Sequence, residues 1–387
     1  MKKIDRELRV MLLDGLGGPM SRRGFIKRAG AAGLLLGASG FFAACGGGDE
    51  TGTTAAGDST VSTAEELSKE LFFYNWSDYI AEDTLPNFEK EYGVKVVYDN
   101  YSSNDTLLAK LQSGATGYDI IVPTDYMVTT MLGLDMLLPL DLDNIPNLVN
   151  LYPRFREAPF DPGNKYTVPW QWGTTGIGYN SETVPDFKPS WDMLWDENYK
   201  GKITMLTEIR DVFAVALIKL GYSPNTRDTK EIEEAKQLLI QQKPLLKHYT
   251  SDTYIDELAS NDTWLAHGYS GDVFQAQLEN EVVLYSVPEE GAITWLDSMA
   301  IPKGAPHKYT AEFFMNYIHQ PEVAAAITNY VYYASPNEKA EEFIDPEILS
   351  DPQIYPPQEV MDKLAWIEEL GKDTELYNQA YAELKAA

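Results

Sequence analysis

Between Leu71 and Pro123 the chain alternates strand patterns with helix patterns, and this alternation restricts the fold more than any other feature. Leu71-Phe72-Phe73-Tyr74-Asn75 is an apolar run of strand length. Leu85, Phe88 and Tyr92 then recur at helical spacing until Gly93. Residues 94–98 read as a second strand, and Leu107, Leu108 and Leu111 mark a second helix. Residues 119–122 form a third strand, stopped by Pro123. Strands separated by helices predict a mostly parallel sheet covered on both faces, an α/β fold.

The same style returns further on. Residues 202–206 read as a strand and 212–220 as a helix. Asp228-Thr229-Lys230-Glu231 has the pattern of a capping box before an amphipathic run through Leu239. Residues 265–268 and 282–287 are short strands, and helices are expected at 311–319, 321–330, 358–370 and 374–385. No internal repeat is visible. A chain of 387 residues exceeds the comfortable size of one hydrophobic core, so two lobes are expected.

The N-terminal segment is of another kind. Ser21-Arg22-Arg23-Gly24-Phe25-Ile26-Lys27 reads as a twin-arginine export signal. The apolar run at 29–42 is shorter than the about 20 residues a membrane span needs and fits a signal sequence. Phe42-Ala43-Ala44-Cys45 closes it as a lipobox, with Phe where Leu is usual. Residues 1–44 are therefore expected to be a lipoprotein signal, with Cys45 lipidated. Residues 45–70 would be a flexible tether, rich in Gly, Thr and Ala at its start. The exported chain would be a membrane-anchored lipoprotein, in a periplasm or at a cell surface. Cys45 is the sole cysteine, which excludes an internal disulfide and a thiolate metal cluster. The four His have no metal-ligand spacing, so no metal or other cofactor is expected.

Charge narrows the partners. Without residues 1–44 the chain keeps 23 basic against 56 acidic residues. Nucleic acid needs a basic footprint and is excluded as a partner. An acidic field attracts cations, although it also serves solubility. Ligands of open α/β sheets sit beyond the carboxyl ends of the strands. Those ends carry Trp76-Ser77-Asp78-Tyr79, Thr124-Asp125-Tyr126, Glu208-Ile209-Arg210-Asp211, Tyr269-Ser270-Gly271-Asp272 and Trp295-Leu296-Asp297. A ring after a strand is often only packing. Rings together with carboxylates, however, suit a desolvated ammonium, which needs a counter-charge. It also gains roughly 0.5–2 kcal/mol over each aromatic face. An alkyl amine with two or three ammoniums fits this inventory better than a sugar, an anion or a metal.

These motifs belong to a longer pattern. Phe73-Tyr74-Asn75-Trp76-Ser77-Asp78-Tyr79-Ile80, Pro159-Phe160-Asp161-Pro162, Gly176-Ile177-Gly178-Tyr179-Asn180, Glu289-Glu290-Gly291-Ala292 with Trp295, and Tyr355-Pro356-Pro357 occur in order. From Leu71 to the C-terminus the sequence resembles the bacterial spermidine/putrescine-binding proteins of polyamine ABC transporters. The resemblance implies a two-lobed class II periplasmic-binding-protein fold with a ligand cleft between the lobes. It implies one lobe from 71–174 plus 297–341 and the other from 175–296 plus 342–387. The implied partners are a polyamine and the membrane permease of an ABC importer, served by a monomer that is not an enzyme.

Carried over position by position, Trp76, Tyr79, Tyr126, Trp295 and Tyr333 match the family's aromatic walls. Tyr269 stands where Trp is usual. Ser77 matches a neighbouring hydroxyl, and Thr124 stands where Ser is usual. Asp211 matches a terminal-amine carboxylate, Glu208 an acid of the spermidine type, Asp272 an acid of the putrescine type, and Asp297 the central carboxylate. Ile367 stands where the spermidine type has Gln. Asp78 is expected to cap the following helix, and Trp170 and Trp172 to be hinge or core packing rather than ligand contacts. Rival readings are a glycoside hydrolase using Glu208 with Asp211 or Asp297, and a binding protein for ferric iron or a sugar. Gly268-Tyr269-Ser270-Gly271-Asp272 is no nucleophile elbow, and Gly46-Gly47-Gly48 lacks the Lys of a P-loop.

Overall fold

The structure, a computed structural model, describes residues 66–114 and 117–387. The expected export signal, Cys45 and most of the expected tether lie outside the described residues. The described end of the expected tether is already packed. Ser68 N donates to Thr310 Oγ1 at 2.8 Å, and Leu67 packs on the core. Among the described residues no helix is long and apolar enough to cross a membrane.

The first half runs β1 (Glu70–Trp76), α1 (Thr84–Tyr92), β2 (Lys95–Tyr101), α2 (Asn104–Gln112), β3 (Ile120–Ile121) and α3 (Asp125–Gly133). α1 buries Phe88 and stops at Gly93, whose φ of 70° lets its N–H reach Glu89 O at 2.9 Å. Asp83 stands at the N-cap of α1, whereas Asp78 lies five residues earlier in a left-handed turn at φ 52°. The expected Asp78 cap is thus corrected: Asp tolerates the left-handed region, and the turn consumes the residues between.

A 14-residue strand, β4 (Thr167–Asn180), follows. Then come β5 (Ile203–Met205), α4 (Ile209–Lys219), α5 (Thr229–Gln242), β6 (Leu246–Tyr249), α6 (Tyr254–Ala259), β7 (Leu265–Tyr269), α7 (Ser270–Glu279), β8 (Val283–Ser286) and β9 (Ala292–Ala300). Asp228 caps α5 through Lys230 N at 2.8 Å, but Glu231 accepts from Thr226 Oγ1 instead of returning to the cap. Only half of the capping box forms. The chain ends with α8 (Lys308–Ile318), α9 (Pro321–Val331), β10 (Leu364–Ala365) and α10 (Thr374–Ala386). The helix expected over 358–370 is confined to Gln358–Met361. Beyond it the backbone turns extended, and Leu364 and Ala365 pair in parallel with Ala292 and Ile293.

One mixed sheet has the order β2-β1-β3-β9-β4-β7-β5-β6, with β10 on β9 and β8 on β4. β1 is parallel to β2 and β3, and β5 is parallel to β6 and β7. The expectation of a mostly parallel sheet is corrected at its centre, where β4 and β9 run antiparallel from Thr167↔Ala300 to Thr175↔Ile293. β4 is illegible as a strand because it contains Pro169 and three glycines, which normally weaken strands. Two of those glycines are needed for close approach. A Cβ at Gly176 would lie 2.6 Å from Ser286 O, and one at Gly178 would lie 2.7 Å from Val273.

The fold is α/β and two-lobed. Two of its apolar clusters are built mainly from different parts of the chain. In the first, Phe73 meets Trp170 and Phe314 edge-on at 5.8 and 5.4 Å, and Phe88 meets Phe314 at 4.9 Å. In the second, Phe213 meets Tyr377 of α10 at 5.5 Å among Trp191, Leu217 and Leu239. The expected lobe boundaries at 174/175 and 296/297 fall inside β4 and β9, the two strands common to both halves.

Candidate ligand-binding site

The carboxyl ends of the parallel strands converge on one cleft. β1 delivers Trp76, Ser77 and Tyr79, and β3 delivers Thr124 and Tyr126. β5 leads to Glu208 and, in the first turn of α4, Asp211. β7 leads to Tyr269 and Asp272. Trp295 and Asp297 lie within β9 rather than beyond a strand, two residues apart and so on one face. Tyr333 follows α9. All twelve positions line this cleft, whose space, counted together with the solvent at its open mouth, is about 660 Å³.

The rings form two groups. The Trp76 indole donates to Val122 O at 2.8 Å and tilts against Tyr101 at 4.7 Å, so its orientation is fixed by backbone and ring together. On the other side Tyr269, Trp295, Tyr333 and Tyr79 make a run of edge-to-face contacts at 5.8, 5.3 and 5.0 Å. A Cβ at Gly173 would stand 2.9 Å from the Trp295 ring, so the glycine makes room for the wall. Trp170 and Trp172 are packing, as expected. Trp172 donates to Ser335 O at 3.2 Å, and neither ring lines the cleft.

Five buried carboxylates surround the cleft, and none is in an ion pair with Lys or Arg among the described residues. Asp297 accepts from Thr124 Oγ1 at 2.6 Å. Burial pushes its carboxyl up to about 7, against the pull of the Thr124 and Tyr79 hydroxyls. Asp211 accepts from Thr175 Oγ1 at 3.1 Å and is pushed up to about 6 by burial. Its neighbour Arg210 donates to Glu368 O, Pro224 O and Asn225, with its guanidinium 4.6 Å from the Tyr377 ring centre. Arg210 is committed elsewhere, so a structural salt bridge does not account for Asp211.

Glu208 accepts from Tyr126 Oη at 2.8 Å and from the Asn104 amide at 3.2 Å, both supplied by the first half of the chain. Burial, then Asp105 and Asp211, raise it to about 8. Asp272 accepts from Tyr333 and Tyr254, each at 2.7 Å, and is raised to about 7 by burial and, less, by Asp78 and Asp252. Asp125 is spoken for by the backbone, accepting from Tyr126 N and Leu296 N, and burial raises it well above the carboxylate range. Charges concentrated at this density without cations are costly unless protonated or matched by cationic groups.

A family model described as bacterial extracellular solute-binding protein matches residues 85–356. The chain belongs to this family of solute-binding proteins. The spermidine/putrescine-binding periplasmic protein of Salmonella typhimurium is 37% identical over 318 residues, 82% of this chain and 91% of that protein. The putrescine-binding periplasmic protein PotF of Escherichia coli is 38% identical over 325 residues, 79% and 88% of the two chains. Among solved structures, a putative spermidine/putrescine ABC transporter from Listeria monocytogenes superposes with a TM-score of 0.79 at 38% identity. That match covers 82% of this chain and 99% of the other. The matched relatives are solute-binding transport proteins of the periplasm, which supports an exported location for this chain.

The cleft also contains residues that the sequence did not mark. Tyr101, Ser102 and Asn104 line it. Asn104 binds Thr124 through Nδ2 at 3.0 Å and offers its amide to Glu208. The strand-end rule finds these residues once β2 is carried to Tyr101 rather than stopped at Tyr98. Ser251 and Asp252 follow β6, a strand whose exposed Leu-Lys-His-Tyr pattern carries little signal. Ile367 lines the cleft as a buried apolar residue.

Proposed function

We propose that this protein captures a polyamine, spermidine or putrescine, and hands it to the membrane permease of an ABC importer. The observation that carries the reading is the set of ion-pair-free carboxylates, Glu208, Asp211, Asp272 and Asp297, facing one ring-lined cleft. Ammoniums supply the missing counter-charge, and the rings take up the methylene chain and add cation–π attraction. In this reading the lobes 71–174 plus 297–341 and 175–296 plus 342–387 bend about β4 and β9 as the cleft opens and closes.

Spermidine carries one more ammonium than putrescine and relieves more of the carboxylate repulsion. Ile367 removes one neutral hydrogen bond, an effect of only about 0.5–1.5 kcal/mol. The expected order is therefore spermidine tighter than putrescine, with Glu208→Ala narrowing the gap. Calorimetry at fixed salt with spermidine, putrescine, maltose and ferric citrate tests the whole reading. Binding of maltose or ferric citrate in preference to both amines would end it, and putrescine outcompeting spermidine would overturn the order.

We further infer a monomer tethered through a lipid on Cys45, supported by the twin-arginine and lipobox motifs. Cys45→Ala is expected to release the exported protein from membranes. Retention of that variant through an alkaline wash would refute the anchor.

A further inference from the structure

Asp272 is gripped by two phenols, and each phenol occupies space that a glycine leaves open. Tyr254, wholly buried in α6, donates its hydroxyl to Asp272 Oδ2 at 2.7 Å and accepts from Tyr269 N at 3.0 Å. Tyr333 donates to Asp272 Oδ1 at 2.7 Å. A Cβ at Gly268 would lie 2.6 Å from the Tyr254 ring, and one at Gly271 would lie 2.5 Å from the Tyr333 ring. The run Gly268-Tyr269-Ser270-Gly271-Asp272 thus seats one phenol on each side of the carboxylate that ends it. Tyr333 lines the cleft, but Tyr254 does not. Tyr254 reaches the site only through Asp272 and the Tyr269 backbone.

We propose that Tyr254 is a positioning residue that aims the Asp272 carboxylate at one terminal ammonium of a polyamine, and so determines how much that end of the ligand adds to affinity. The inference rests on the polyamine reading above. Both carboxylate oxygens of Asp272 are bonded to phenols, so the group cannot rotate, and each oxygen keeps a lone pair for the ligand. The hydroxyls also oppose the burial that raises Asp272. Asp272 is faced by Tyr254 from α6, Tyr333 after α9, Asp252 before α6 and Asp78 after β1, with Tyr79 and Tyr269 also near. Removing the Tyr254 hydroxyl leaves the two acids and the burial less opposed, so Asp272 protonates more readily.

The test is Tyr254→Phe, with spermidine affinity measured by calorimetry from about pH 6 to about pH 8, where the terminal ammoniums stay charged. The expected result is a weakening of about tenfold at the acid end, the usual size for a lost hydrogen bond to a charged group. The loss should shrink as pH rises and Asp272 ionises unaided. In an Asp272→Asn background, Tyr254→Phe should change nothing further. Equal weakening at every pH, additive losses in that background, or no weakening would each overturn the proposal. If Tyr254→Phe unfolds the chain, 3-fluorotyrosine at position 254 keeps the shape and supplies a stronger donor. The pH midpoint of affinity should then move down, and an unmoved midpoint also overturns the proposal. Wild-type protein that binds no polyamine overturns the functional reading itself. Wild-type binding with an indifferent Tyr254→Phe overturns only the role of Tyr254.

Discussion

Asp297→Asn lowers spermidine affinity by roughly a hundredfold or more while raising the melting temperature of the unliganded protein. The first effect follows from leaving a buried ammonium without its charge partner, at a cost of about 3–5 kcal/mol. The second follows from the empty site, where burial already holds the Asp297 carboxyl up at about 7. Asn keeps the oxygen that accepts from Thr124 Oγ1 and sheds the charge that opposes folding. Opposite signs for binding and stability separate a ligand-holding carboxylate from a structural one. A loss of affinity below tenfold, or a lower melting temperature without ligand, would place Asp297 outside the binding machinery.

Acidification from pH 8 to about pH 6.5 stabilises the unliganded protein, and spermidine abolishes the trend. Glu208, Asp272, Asp297 and Asp211 are raised to about 8, 7, 7 and 6, whereas ordinary values for Glu and Asp are 4.5 and 3.8. The folded state therefore binds more protons than the unfolded chain through this window, and the stability these groups contribute is lost as pH rises through their folded values. Below about 6.5 two histidines oppose the gain. His267 and His319 are buried and lowered to about 3 and about 4, so the unfolded chain takes up protons first. Ammoniums in the cleft hold the carboxylates ionised, so binding at pH 7 must release protons. Thermal denaturation across pH, and calorimetry in two buffers of different ionisation enthalpy, check both halves. Melting temperatures that climb from pH 6.5 to 8 without ligand, or proton uptake on binding, would contradict the account.

Much of this site was legible because its residues follow parallel strands whose apolar runs are plain. Leu71 to Asn75 and Leu265 to Gly268 announce themselves, so Trp76, Tyr79, Tyr269 and Asp272 could be found beside them. The strands that join the halves were not legible. β4 hides its strand behind Pro169 and the glycines that Tyr285 and Val273 crowd, a tertiary requirement with no local signature. Tyr254 was invisible for a related reason. Nothing near it in sequence indicates that its hydroxyl ends at Asp272, 18 residues away.

The last segment of the chain carries a consequence for how the molecule is made. α10 lays Tyr377, Tyr381 and Leu384 onto a core whose other members, Phe213, Leu217 and Leu239, emerge from synthesis more than a hundred residues earlier. Until the C-terminus arrives, that apolar face has no cover, and a nascent or prematurely terminated chain presents it to chaperones and proteases. Docking of α10 is thereby the step that closes this core, far in sequence from the carboxylates that face the cleft.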